Sequence, residues 1–118
     1  MKKRILTGIT TTGTPHIGNY IGAIRPAIEM TKDSDESFFF LADYHSIIKN
    51  QDSDSIKNSV KNVALAWLSS GLDPNKSYFY KQSDVPEIIE LCWILNCVTA
   101  KGLMTVSYTH LRAHETDR

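Results

Sequence analysis

Three short apolar runs constrain what this chain can fold into. Arg4–Ile9, Ser37–Ala42 and Ser77–Lys81 have the length and the β-branched or aromatic content of strands, and their starts lie 33 and 40 residues apart. Gaps of that size are too long for hairpins and hold one crossover helix each, so the runs predict parallel strands joined as βαβ units. The expected class is therefore α/β with an open parallel sheet. Phe38-Phe39-Phe40-Leu41-Ala42 is apolar without alternation. Such a run predicts a strand covered on both faces.

The gaps carry helical patterns. Ile17, Ile21, Ile24 and Ile28 recur at i, i+4, i+7 and i+11 and predict a helix from Ile17 to about Thr31 with one buried stripe, bent at Pro26. A second helix is expected from Ser53 or Asp54 to Ser70. Asp52-Ser53-Asp54-Ser55 supplies N-cap residues, Ile56, Val60, Val63 and Trp67 supply the apolar spacing, and Gly71 sits at the C′ position. A third helix, Pro86 to Val98, is apolar nearly all round, which predicts burial or packing against another chain. Trp67 and Trp93 read as core or interface aromatics. Cys92 and Cys97 lie five apart, neither a redox pair nor a zinc spacing, and read as reduced, buried packing residues.

Thirteen basic and thirteen acidic residues cancel, so overall charge provides no long-range attraction for nucleic acid. No apolar run approaches the ~20 residues of a membrane span. Met1-Lys2-Lys3-Arg4 is followed only by Ile5-Leu6 before Thr and Gly, which leaves no secretory h-region. A cytoplasmic location without membrane contact is the expectation. The character of the chain changes after Met104. Residues 105–118 show no clean period and look like translated cloning sequence, so the expected division is a native part, 1–104, and a foreign tail, 105–118. His110 and His114 within that tail have i, i+4 spacing, a weak signal by itself, and no metal site is read from them.

The chemistry concentrates where the first strand hands over to the first helix. Thr7-Gly8-Ile9-Thr10-Thr11-Thr12-Gly13-Thr14-Pro15-His16-Ile17-Gly18-Asn19 places glycines, hydroxyls, an imidazole and an amide at a strand-to-helix turn. Open α/β sheets bind nucleotides at such turns. Glycine lets a ligand approach the backbone, and Gly18 leaves room for a flat base or ribose. His16 and Asn19, three apart, are neighbours on one side of the first turn. On spacing alone two readings stand: a phosphate-contacting pair, or a capped helix with a surface His and Asn. His45 follows the second strand, at the end where parallel sheets place ligands, and is either a site residue or an ordinary post-strand histidine.

His16-Ile17-Gly18-Asn19 resembles the HIGH signature of class I aminoacyl-tRNA synthetases. The resemblance sharpens to the tryptophanyl-tRNA synthetase family over Leu6 to Ala27, through Leu41-Ala42-Asp43-Tyr44-His45-Ser46-Ile47, Gly71-Leu72-Asp73-Pro74 and Gln82-Ser83-Asp84-Val85-Pro86, to Trp93-Ile94-Leu95-Asn96-Cys97. It covers about residues 1–104. It implies a Rossmann-like domain of the HUP type, truncated here, in a homodimer that condenses L-tryptophan with ATP, accompanied by Mg²⁺, and then charges tRNA(Trp). By similarity Thr10, Thr11, Thr12, His16, Gly18 and Asn19 sit at the ATP, with His16 and Asn19 acting on the phosphates or ribose. Leu6, Gly8, Asp43 and His45 match the amino-acid pocket.

Thr10-Thr11-Thr12 departs from the Gln-Pro-Ser or Gln-Pro-Thr of many members. No KMSKS-like run occurs in these 118 residues. Negligible pyrophosphate exchange is therefore expected of this chain by itself. The rival readings are a tyrosyl-tRNA synthetase, another HIGH-type nucleotidyltransferase, and a non-catalytic nucleotide-binding or interaction module.

Overall fold

The computed structural model describes residues 2–100 and residue 102. The expected tail over 105–118 lies outside the described residues. Two units are distinguished, Met1–Val85 and Pro86–Arg118.

The first unit is built on three strands: β1 (Arg4–Thr10), β2 (Glu36–Ala42) and β3 (Tyr78–Lys81). They pair in parallel in the order β1-β2-β3, in a register that aligns Leu6 with Phe38 and Tyr78, and Gly8 with Phe40 and Tyr80. The first crossover is a helical run of three parts: α1 (Ile17–Asn19), a π-helical turn (Tyr20–Ile24) and α2 (Arg25–Met30). The π turn has a physical cause in Pro26. That residue has no N–H and its ring would crowd the carbonyl four residues back. Widening the turn avoids the clash, and the N–H of Arg25 donates to the Tyr20 carbonyl five residues back. The widened turn also changes which residues face inward. Ile24, Ala27 and Ile28 reach the core, whereas Ile17 and Ile21 are exposed, so the four-isoleucine stripe expected from strict helical spacing is corrected to its second half.

The second crossover contains α3 (Asp43–Ser46) and α4 (Ser53–Ser69). Asp52 caps α4 by accepting from the Ser55 N–H at 2.7 Å. At the other end Gly71 takes φ +101°, a conformation only glycine adopts readily. The Gly71 N–H donates to the Leu68 carbonyl and the Leu72 N–H to that of Trp67, the paired bonds of a Schellman stop.

Both crossovers pack on one face of the sheet. Ile24, Ala27, Phe39, Leu41, Val63, Trp67 and Leu72 form the buried cluster, with Ile5, Ile9 and Phe79 against it. Trp67 lies 5.1 Å from the Phe39 ring and 6.3 Å from the Phe79 ring, centroid to centroid. Burying each such side chain contributes about 1.5–3 kcal/mol. Among the described residues of this unit, no element covers the opposite face. Phe38 and Phe40 are only half-buried, and Leu6 and Tyr78 are exposed. The expectation that β2 is covered on both faces is thus corrected: alternation places Ser37, Phe39 and Leu41 under the helices and Phe38 and Phe40 on an open face.

The second unit contributes α5 (Glu87–Val98), with Pro86 at its N-cap. Its apolar residues are exposed, Trp93 at 71%, and so are Cys92 and Cys97. The burial expected for the two cysteines is corrected accordingly. No helix among the described residues is long and apolar enough to cross a membrane.

Candidate active site

β1, β2 and β3 all run in one direction, so Thr10, Ala42 and Lys81 end at one edge of the sheet. The candidate residues gather just past that edge, in two junctions.

The first junction follows β1. His16 stands at the N-cap of α1 in an extended conformation. Its Nδ1 accepts from the Gly18 N–H at 3.1 Å, and its own N–H donates to Asn19 Oδ1 at 3.0 Å. The two residues therefore cap the helix and hold each other. A consequence follows for the imidazole. A neutral ring whose Nδ1 accepts carries its proton on Nε2, so His16 keeps one N–H donor for a ligand. Gly18 is required by this arrangement. A Cβ there would lie 2.9 Å from His16 Cε1 and 3.0 Å from Nδ1, so the space that glycine leaves is taken by the His16 ring and not by a base or ribose.

The threonines leading to this junction divide. Thr10 and Thr12 are exposed. Thr11 is 1% exposed, and its hydroxyl pairs with Ser46 Oγ at 2.6 Å, while Ser46 Oγ also donates to the Thr11 carbonyl at 2.9 Å. The side chain expected at the ATP is committed to α3 instead. Gly13, at φ +72°, donates its N–H to Ser59 Oγ on α4 at 3.2 Å. The loop is thus pinned from below by two serines.

The second junction joins the ends of β2 and β3. Asp43 opens α3, and one carboxylate oxygen accepts the Tyr44 and Ser83 N–H groups, both at 3.1 Å. Its other oxygen accepts from the Ser83 hydroxyl. These bonds fasten the 3₁₀ turn Gln82–Asp84 to the end of β2. The turn places Gln82, which is buried, with Oε1 3.1 Å from His45 Nδ1. Asp43 therefore acts through Ser83 on the turn that carries the partner of His45. Beside it Lys81 and Asp84 pair at 3.1 Å, and the Lys81 N–H donates to the same carboxylate at 3.0 Å. That backbone bond first, and the ammonium second, hold the Asp84 carboxyl below its ordinary value, while the hydrogen bond to Asp84 raises Lys81.

Leu6 and Gly8 lie on the open face. Phe40 covers Gly8 so closely that a Cβ at position 8 would sit 2.2 Å from the ring. Phe38 stacks on Tyr78 with centroids 4.6 Å apart, and Phe38, Tyr78, Tyr80 and Val85 line an apolar hollow of about 380 Å³. The structure therefore brings together His16, Gly18 and Asn19 in one group, and Asp43 and His45 through the Gln82 turn in another. Leu6 and Gly8 share the face of Phe40. Ser46, Ser59, Gln82 and Ser83 are the supporting residues that sequence reasoning did not single out. Gln82 and Ser83 had a usable signal, since they follow β3 at the same edge of the sheet that pointed to Asp43 and His45. Among the described residues no group of three His, Cys, Asp or Glu side chains could hold a metal ion.

A family model described as tRNA synthetases class I (W and Y) matches residues 1–109. A tryptophan–tRNA ligase of Neisseria meningitidis is 57% identical over 113 residues, 95% of this chain and 34% of the relative. One from Xanthomonas axonopodis pv. citri is 53% identical over 119 aligned positions, 100% of this chain and 28% of the relative. The crystal structure of Campylobacter jejuni tryptophanyl-tRNA synthetase complexed with ADP and tryptophan matches with a TM-score of 0.80 at 42% identity, over 94% of this chain and 35% of that one. The chain spans about a third or less of the length of these relatives.

Proposed function

The chain belongs to the tRNA synthetases class I (W and Y), and from that membership we propose that it supplies the HIGH-signature part of the active site of a tryptophan–tRNA ligase. The whole enzyme would activate L-tryptophan with ATP and transfer it to tRNA(Trp), as a cytoplasmic homodimer. The observation that supports this reading most directly is the His16–Asn19 cap, which leaves His16 with one imidazole N–H at the exit of β1.

In the reaction a tryptophan carboxylate oxygen attacks the α-phosphorus of ATP. The bond to the β-phosphate bridging oxygen breaks, and pyrophosphate leaves with the electron pair. The protein need form no covalent bond; it aligns the groups and stabilises the charge that develops. His16 serves as a donor at the α-phosphate, its ring held by the Gly18 N–H, and Asn19 steadies the His16 backbone and the phosphate or ribose. Thr10, Thr12 and the Gly18 backbone border the nucleotide, while Thr11 shapes the loop from its buried position. Leu6 and the Phe40 ring that covers Gly8 form the floor beneath the indole, and His45, beside the turn that Asp43 fastens, frames the polar end of the amino acid. Mg²⁺ belongs with the ATP phosphates in this reading, since the described residues do not fit a resident metal site, and no step is derived through it.

Titration of the ¹⁵N-labelled chain with ATP tests the proposal. The amide signals of His16, Gly18 and Asn19 are expected to move and those of Val63 and Trp67 to stay; a uniform or absent response overturns it. L-Tryptophan is expected to move Gly8 and His45 where L-tyrosine does not. The reverse preference would assign the tyrosine branch of the same family.

A further inference from the structure

We infer that Gln82 is a positioning residue that fixes the tautomer of His45 and so decides what that ring can bind, an inference that rests on the reading of His45 as an amino-acid-site residue. The argument begins with burial. His45 is exposed, and its side-chain hydrogen bond runs to Gln82. Gln82 is 8% exposed. Its turn is held to β2 by the Ser83 N–H and hydroxyl, both donated to Asp43. An amide fixed in this way presents a stationary carbonyl to a ring that is otherwise free to rotate.

The chemistry follows from the atoms. Gln82 Oε1 can only accept, so His45 Nδ1, 3.1 Å away, donates and carries the proton. The neutral ring then keeps the lone pair of Nε2 on the side away from Gln82. A lone pair accepts from an ammonium group and repels a carboxylate. Gln82 thus orients His45 to receive the amino end of an amino acid, leaving the carboxylate free to reach a phosphate. His16 is the opposite case within the same chain: its Nδ1 accepts from Gly18 and its Nε2 carries the proton. One histidine is set as a donor, the other as an acceptor.

Long-range ¹H–¹⁵N correlation spectra of the full chain, taken at about pH 8.5 where ordinary imidazoles are neutral, read both tautomers in one sample. The expected result is Nδ1–H for His45 and Nε2–H for His16. Gln82→Met removes the acceptor and is expected to lower the His45 Nδ1–H to Nε2–H ratio about fivefold, with His16 unmoved. Gln82→Glu, which can still accept, should restore Nδ1–H. An Nε2–H ring at His45 in the unmodified chain, or a ratio unchanged in Gln82→Met, overturns the inference. Should Gln82→Met fail to fold, Gln82→Asn decides in its place, since it keeps a buried amide but withdraws the oxygen by ~1.5 Å. No amino acid is added in these spectra. Failure of tryptophan to bind would therefore sink the functional reading and leave the tautomer assignment standing, and a wrong tautomer would do the reverse.

Discussion

The two histidines of the candidate site sit at the same edge of the same sheet, and they are held in opposite ways. His16 is fixed by residues two and three positions along the chain, Gly18 and Asn19. His45 is fixed by Gln82, 37 residues away, across a strand. The first arrangement is a property of a short peptide sequence and forms whenever the helix forms. The second exists only when β2 and β3 are paired and the Asp43–Ser83 bonds have closed. One junction is local and the other tertiary, and they should respond differently to anything that loosens the fold.

The two are connected at one point. Ser46, next to His45 on α3, shares a buried hydrogen bond with Thr11 in the loop that leads to His16. Ser46→Ala is the change expected to do the most damage, because it strands the buried Thr11 hydroxyl and removes a donor from the Thr11 carbonyl. A loss of about 1–3 kcal/mol is expected in urea unfolding. If His16 is held locally, its ring signals should survive the substitution under native conditions while those of His45 shift. Equal disturbance of both rings would erase the distinction between the junctions.

Asp43→Ala attacks the tertiary junction alone. It removes the acceptor for two N–H groups and the Ser83 hydroxyl, all at a half-buried site, and should lower stability by ~1 kcal/mol. The sharper readout is His45, whose tautomer preference should weaken as Gln82 drifts, with the His16 signals unchanged. Gly18→Ala attacks the local junction alone. Alanine is the better helix former by ~1 kcal/mol, but its Cβ would meet the His16 ring. Stability is expected to change by less than about 1 kcal/mol, because the two effects oppose. The ATP-induced shifts at His16 should be lost, since the ring must leave its cap. Retained ATP response in Gly18→Ala would show that the cap is not what prepares His16.

The same contrast explains what the sequence reveals. The strands and their parallel order are legible because Arg4–Ile9, Ser37–Ala42 and Ser77–Lys81 are apolar runs at crossover spacing. The limits of α4 are legible because Asp52 and Gly71 carry their structural roles in their own chemistry. His16-Ile17-Gly18-Asn19 is legible for the same reason. Thr11–Ser46 and His45–Gln82 are not, since nothing within ten residues of Thr11 or His45 names a partner 35 or 37 positions away. The open face shows another limit: an unbroken Phe-Phe-Phe run looks the same whether or not a second layer covers it. The π turn lies between these cases, since Pro26 announces a bend but not that Ile17 and Ile21 will be left outside.

The smallest expected effect concerns the Lys81–Asp84 pair beside the tertiary junction. The Lys81 N–H and ammonium depress the Asp84 carboxyl in the folded chain below its ordinary value of about 3.9. A depressed folded value means that the pair contributes stability above the unfolded value and loses it as pH falls through the folded one. The window therefore opens just below pH 4 and extends downward, and the contribution is small because both groups are exposed and screened by water. In a ¹³C titration of side-chain carboxyls Asp84 is expected to protonate below the ordinary aspartate value. Its turn should loosen in the same step, shifting the backbone amide signals of Gln82 and Ser83, while that of Val63 in the core stays unchanged. If the Gln82 and Val63 amides responded together in that window, the turn would not be the separately fastened unit that its bonds describe.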